Sequence, residues 1–502
     1  MSSSIPASAS ATAPVPGTVR ERSLDPEDWS AMRALGHRMV DDLMTYLEHI
    51  GDRPVWQKPS DAALASYRAP LPRTATSPER IYDEYLEHVL PYILGNGHPR
   101  FWGWVTGTGT PLGALADLLA SGSNVHAAFG DQAATHIERQ VIGWFTALFG
   151  LPAGAGGLLV SSGSTANLTG LTAARDAMLP ELIDDGTASA GAPCVVYASD
   201  QVHNSVDKAV AILGLGRRNL RRVETDTDYR IVPAALERAI ADDRASGRRP
   251  ICIVATAGTV NTGAVDDLEA LGAIARREGL WLHVDGAFGA SLIVSARLRH
   301  LLRGIEHADS IAFDFHKWFY VPYDVGCVVV RDEARLRGSF SPPASYLAAL
   351  DRGIAGGGVA YGGLGPDLSR RFRALKVWMS LKEHGADRYG EQIEQNVDQA
   401  HYLASLIERH PELELAAPVP LNVVCFRYVP RDQTRADRDG NAVNREILMR
   451  LQEQGIAAPS STVLDGRFAI RAAITNHRST RADFDALVEA VAAIGREITG
   501  GA

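Results

Sequence analysis

Four short stretches carry side chains able to do chemistry, and each follows an apolar run. Ser161-Ser162-Gly163-Ser164-Thr165-Ala166-Asn167 comes after Leu158-Leu159-Val160 and opens a helical pattern. A strand, a small Gly/Ser/Thr turn and a helix N-terminus present free backbone N–H groups and a helix dipole to an anion. Gln201-Val202-His203 places an imidazole at the start of another helix. Trp281-Leu282-His283-Val284 delivers Asp285 and then the small Ala287. Ser310–Phe313 delivers Asp314, followed by His316-Lys317-Trp318. Only five of the 50 basic residues are lysines: Lys58, Lys208, Lys317, Lys376 and Lys382. A lysine ending an apolar strand stands out against that background, because burial lowers the pKa of an amine and makes it a nucleophile towards carbonyls. Singly, each stretch also has an ordinary reading: a capped turn, a structural histidine, a helix-capping Asp, a lysine reaching from a strand end to water.

The elements that must position these residues alternate. The strand-like runs are Gly157–Val160, Cys194–Ala198, Ile251–Thr256, Trp281–Val284, Ser310–Phe313 and Gly326–Arg331. Helical periodicity separates most of them, including Pro111–Leu119 and Thr135–Phe149. Such alternation implies an α/β architecture with a mostly parallel sheet buried on both faces. From about residue 386 the pattern reads as a small α+β domain, with helices over Tyr389–His410, Asn444–Gln454 and Ala482–Ile498 and strands over Val423–Tyr428 and Phe468–Ala473. Residues 1–22 are Ser, Ala and Pro with little to bury and are expected to be a disordered tail. Residues 23–111 hold amphipathic helices without a core of their own, so they are expected to form an arm that packs on another domain or subunit. The boundaries expected are therefore 1–22 tail, 23–111 arm, 112–385 large domain and 386–502 small domain.

The chain has 502 residues, a net charge of −9 and 46% hydrophobic residues. The acidity disfavours a nucleic-acid partner. No apolar run approaches the roughly 20 residues of a membrane span. Four widely separated cysteines argue against disulfides or a Cys-based metal site, and no metal is expected. They fit a reducing cytoplasm, and the N-terminal residues lack a secretory pattern.

Together the four stretches change the balance. An anion cup, an imidazole, a strand-end Asp and a lysine follow strands in that order, which is the set that serves pyridoxal phosphate (PLP): a phosphate cradle, a ring-stacking face, a carboxylate for the ring nitrogen and a Schiff-base lysine. The chain resembles the group II PLP-dependent amino-acid decarboxylases, the family of the aromatic-amino-acid, histidine and glutamate decarboxylases. The resemblance is carried by His98-Pro99-Arg100-Phe101, Gly163–Asn167, Asp200–His203, His283–Ala287, His316-Lys317-Trp318 and Arg370–Lys376.

The resemblance implies a PLP-dependent transferase of fold type I, with a seven-stranded large domain, a small C-terminal domain and an N-terminal arm. It also implies a homodimer with shared active sites. Lys317 is then the Schiff-base lysine, Asp285 the partner of the ring nitrogen, and His203 and Ala287 the groups on the two ring faces. Gly163, Ser164 and Thr165 belong to the phosphate cup with His316 beside them, Asp314 precedes it on the same strand, and Thr259 lies near the ring hydroxyl. Tyr346, within Ser341–Leu347, takes the place of the family's loop tyrosine that protonates the product. Seven glycines between Gly353 and Gly365 fit a loop that opens and closes.

The substrate wall implied by the resemblance comprises Asn96, Trp104, Val105, Thr106, His126 and Ser369. Asn and His lining a pocket would be left unpaired against a plain aromatic ring, at about 1–3 kcal/mol each. The expected reaction is decarboxylation of an L-amino acid with a polar or modified side chain, giving the amine and CO2. Decarboxylation with oxidative deamination to an aldehyde, carbon–sulfur cleavage on an amino-acid unit of a natural product, and a non-catalytic PLP-binding role are the alternatives.

Overall fold

A computed structural model describes residues 23–341, 352–354, 356, 359–430 and 440–500. The expected tail and Tyr346 lie outside them. The strands are β1 Phe101–Trp102, β2 Gly156–Val160, β3 Cys194–Ser199, β4 Leu220–Val223, β5 Arg249–Thr256, β6 Trp281–Asp285, β7 Ser310–Asp314, β8 Gly326–Val330, β9 Leu413–Leu415, β10 Val423–Tyr428, β11 Ala458–Leu464 and β12 Arg467–Ala473.

Seven of them form one sheet in the order β2-β8-β7-β6-β5-β3-β4. The five from β7 to β4 run parallel, and β8 is antiparallel to both β7 and β2. All residues of β2, β3, β6, β7 and β8 are buried, which is why they read as continuous apolar runs. The edge strand β4, Leu-Arg-Arg-Val, escaped the sequence reading. Its two central arginines face out, and Arg222 Nη2 donates to both carboxylate oxygens of Asp207 at 2.7 and 2.8 Å. Charge on an edge strand blocks further pairing.

The topology sets the site. In β2, β3, β5, β6 and β7 the carboxyl ends point to one edge of the sheet, where ligands of open α/β folds bind. Val160, Ser199, Thr256, Asp285 and Asp314 end those strands, so the four sequence stretches emerge side by side.

A second sheet has the order β1-β11-β12-β10-β9. Residues 101–102, expected in the arm, supply its edge strand, parallel to β11. Arg478 extends this link by donating to the carbonyls of Gly97, Thr108 and Gly109 at 3.2–3.3 Å. The helix expected over Tyr389–His410 is the second of two within Arg373–Arg409, which meet at Gly385 (φ 74°, ψ 156°), a positive-φ geometry that glycine adopts without strain. Its Asn396 is buried and accepts hydrogen bonds from Trp318 Nε1 (3.0 Å) and Tyr320 Oη (2.7 Å), fixing the loop that carries Lys317. No helix among the described residues is long and apolar enough to cross a membrane.

Candidate active site

One cavity of about 260 Å³ lies at the carboxyl edge of the large sheet, against the second sheet. Lys317, Asp285, His203 and Ala287 all line it. Lys317 sits on a tight loop closed by the Phe315 and Val321 backbone, with Phe315 N–H donating to Val325 O at 3.1 Å. Its Nζ is 3.0 Å from Asp314 Oδ2. The other oxygen, Asp314 Oδ1, is buried without a partner. Asp285 is 3% exposed and accepts from Asn167 Nδ2 at 2.9 Å and from Ala287 N–H at 3.2 Å. A buried carboxylate held by neutral donors and aimed at a cavity is suited to a cationic ligand group.

His203 caps the helix Asn204–Ile212, and its Nδ1 accepts from Ser205 N–H at 3.2 Å. Burial, and secondarily Lys317, hold its pKa below the ordinary value, while Asp285 opposes the shift. Gly163, Ser164 and Thr165 form the first turn of the helix Gly163–Met178, where backbone N–H groups lack helical acceptors. Ser162 caps this turn through Thr165 N–H at 3.3 Å, leaving the earlier amides to face an anion. A side chain at 163 would strike Asp314, since a Cβ there would lie 2.6 Å from Oδ2. His316 is buried beside this turn; its Nδ1 faces the Val325 backbone and its ring packs 4.2 Å from that of Tyr323. The anion cup, the strand-end carboxylate and the amine thus fit a phosphorylated pyridine aldehyde.

Other expected residues lie elsewhere. Thr259 is buried in its own loop, with Oγ1 accepting from Ala264 N–H at 3.0 Å; its neighbours Gly258 and Val260 reach the cavity instead. Trp104 and Val105 line the cavity, whereas Thr106 Oγ1 turns back to the Gly103 carbonyl at 2.8 Å. Asn96, His126 and Ser369 are not among its lining residues. The Asn96 amide is committed to the Gly107 carbonyl at 2.9 Å, the His126 ring lies against Phe129, and Ser369 is exposed. The polarity of the wall comes from residues that no motif announced: Thr256, Asn261, Ser460, Ser461 and Arg471. The Arg471 side chain donates to the Trp104 carbonyl at 2.8 Å and to Ser460 Oγ at 3.2 Å, and its Nη2 is buried without a partner. Burial lowers its pKa to about 10, and no carboxylate among the described residues pairs with it.

A family model described as the pyridoxal-dependent decarboxylase conserved domain matches residues 64–429. The chain belongs to that family. PLP is its cofactor, and PLP-dependent decarboxylation of an amino acid is its reaction. An aromatic-L-amino-acid decarboxylase of Bacillus atrophaeus is 35% identical over 471 residues, covering 93% of this chain and 96% of that protein. A phenylacetaldehyde synthase of Arabidopsis thaliana is 32% identical over 468 residues, covering 90% and 93%. A crystal structure of Oryza sativa TDC with PLP and tryptamine superposes with a TM-score of 0.87 at 29% identity, covering 95% of this chain and all of that one.

The buried imidazoles make the decarboxylase sensitive to acid. Burial holds His98, His203 and His316 below the ordinary value and lowers His283 to about 4 and His477 to about 3. Unfolded, these rings take up protons from about pH 6.5 downward. Their stabilisation is therefore complete above that pH and is lost as pH falls towards 4 and 3. Asp266, buried and raised to about 6, acts oppositely below pH 6, because the folded chain protonates it first. Burial raises Asp309 as well, but five rings outweigh two carboxylates, so the denaturant midpoint of the cofactor-free protein is expected to be lower at pH 5 than at pH 7. An equal or higher midpoint at pH 5 contradicts this balance.

Proposed function

We propose that this decarboxylase acts on an L-amino acid whose flat side chain ends in a hydrogen-bonding group, a hydroxylated aromatic ring being the best fit. The observation that carries this reading is the mixed wall of the cavity. Trp104, Val105, Val260 and Phe288 offer apolar surface, while Asn261, Ser460 and Ser461 offer donors. A donor-lined wall rejects a side chain that leaves it unpaired, at about 1–3 kcal/mol per group. The relatives named for aromatic amino acids support the ring; the polar residues support the substituent. Arg471 is the group we assign to the substrate's carboxylate.

Bound PLP supplies a carbonyl that condenses with amines and a ring that accepts the electrons freed when CO2 departs. Lys317 would hold it and give it up to the substrate amine. Asp285 would keep the ring nitrogen protonated, His203 and Ala287 would hold the two ring faces, and Gly163, Ser164 and Thr165 would hold the phosphate. Asp314 orients the Lys317 amine from 3.0 Å away, with His316 at its side. Tyr346, outside the described residues, would supply the proton to the product carbon.

We also propose a homodimer. The helix Trp29–Glu48 buries only Leu35, and Trp29, Met39, Ile81, Leu118 and Leu119 are exposed apolar residues that a second copy would cover. The domain division at about residues 111 and 385 and a cytoplasmic location belong to the same proposal, the latter supported by four free, buried cysteines.

An amino-acid panel followed for CO2, ammonia and peroxide together, on material sized by light scattering and located by cell fractionation, tests these readings. Tyrosine-like substrates should exceed phenylalanine by about tenfold or more in kcat/KM, giving amine without peroxide from a dimer. A preference for phenylalanine refutes the polar wall. Peroxide and ammonia in step with CO2 would instead assign the aldehyde-forming reaction.

A further inference from the structure

We propose that Asn167 is a positioning residue: a one-way chain of hydrogen bonds beginning at the Trp281 indole aims its carboxamide at Asp285 and, through Ser205, at His203. This inference rests on the assignment of Asp285 and His203 to the cofactor and adds what sets them.

The direction of each bond follows from the two ends: the carboxylate of Asp285 only accepts, which turns the Asn167 nitrogen to it and the Asn167 oxygen to His283, and the other end is an indole. An indole N–H only donates. Trp281 Nε1 donates to Ser310 Oγ at 2.8 Å, which leaves the Ser310 hydroxyl hydrogen for His283 Nδ1 at 2.7 Å. His283 is wholly buried and its pKa is lowered to about 4, so the ring is neutral and its single proton sits on Nε2. That proton meets Asn167 Oδ1 at 2.9 Å. With its oxygen engaged, the Asn167 amide cannot flip. Its two hydrogens go to Asp285 Oδ2 at 2.9 Å and to Ser205 Oγ at 2.9 Å. Ser205 Oγ then has its own hydrogen for His203 Nδ1 at 2.8 Å, which places the His203 proton on Nε2.

A second observation comes from the helix that carries Asn167. Gly170 lies inside the helix Gly163–Met178, where alanine is the better helix former. A Cβ at 170 would lie 2.7 Å from His283 Cε1, 2.9 Å from its Nδ1 and 3.3 Å from Ser310 Oγ. The helix gives up a side chain at the place where the His283–Ser310 bond needs room.

The chain consists of neutral groups. Asp285 is therefore steadied by donors without being neutralised by a protein cation, and its charge remains for the ring nitrogen of the cofactor. One amide serves both the acid under the ring nitrogen and the imidazole on the ring face, so their geometry is set together.

The test uses Asn167→Asp, which keeps the shape but cannot donate when ionised and sets a second carboxylate against Asp285, and Gly170→Ala, which jams His283. PLP is titrated into the apo-proteins by absorbance, and 15N-histidine spectra of the apo wild type report the ring tautomers. The expected results are at least tenfold weaker PLP binding for N167D, several-fold weaker binding for G170A, and a neutral Nε2–H tautomer for His283. Folded N167D and G170A that bind PLP within twofold of wild type overturn the proposal. So does an Nδ1–H tautomer or an imidazolium at His283 in the wild type, a result that stands even if the variants do not fold. Asp285→Asn run in parallel separates the two readings. If D285N also leaves PLP binding intact, the assignment of Asp285 fails; if only D285N weakens it, the role of Asn167 fails alone.

Discussion

Lys317→Ala is expected to lower decarboxylation by roughly 10⁴-fold or more and to remove the lysine adduct that borohydride fixes in the wild type. Two effects combine. The amine that exchanges with substrate is lost. Asp314, whose side chain is 1% exposed, also loses the cation 3.0 Å from its Oδ2 while its Oδ1 already lacks a partner. A buried carboxylate without compensation repels the phosphate and costs stability. Lys317→Arg separates the two, because a guanidinium keeps the charge but cannot take the place of the amine. It should restore much of the lost melting temperature and none of the activity. Mass spectrometry of the borohydride-treated wild type completes the test: an adduct on Lys208 or Lys376 instead of Lys317 ends the assignment.

Asp285→Asn is the second large effect, and its signature is a split between activity and stability. The amide has the size of the acid and can still accept from Asn167 Nδ2, so packing is preserved. What disappears is the negative charge proposed to keep the cofactor's ring nitrogen protonated. Activity should fall by about 10²–10⁴-fold. Meanwhile the cofactor-free protein should melt no lower than wild type, since a buried charge without a protein cation has been replaced by a neutral group. A variant that loses stability in proportion to activity would make Asp285 a structural residue.

The fold was legible to the extent that its signals were local. Six of the seven strands of the large sheet appear as apolar runs because both faces are covered; β4 does not, since its Arg221 and Arg222 face solvent. In the second sheet β1, β9 and β11 were missed. Two are very short, and β11 carries Ser460, Ser461 and Thr462 where an apolar run would be sought. The candidate site divides similarly. Asp285 and Lys317 could be singled out because one ends a recognisable strand and the other follows one by three residues. Asn96 and His126 were given to the substrate wall by the resemblance, and within one copy of the chain neither lines the cavity.

By itself the sequence determined the chemistry: a lysine, a carboxylate, an imidazole and an anion-binding turn, each within a few residues of the strand that delivers it. Parallel strands present their carboxyl ends at one edge, so local order along the chain was enough to bring those groups together. Only the tertiary structure decided what surrounds them. Arg471 meets the carbonyl of Trp104 across 367 positions, and His283 meets Asn167 across 116. Nothing in the type of a buried polar residue says which distant partner will satisfy it. That choice is made when two sheets and a helix close on one another, and it is there that the polar end of the substrate wall and the orientation of Asp285 are set.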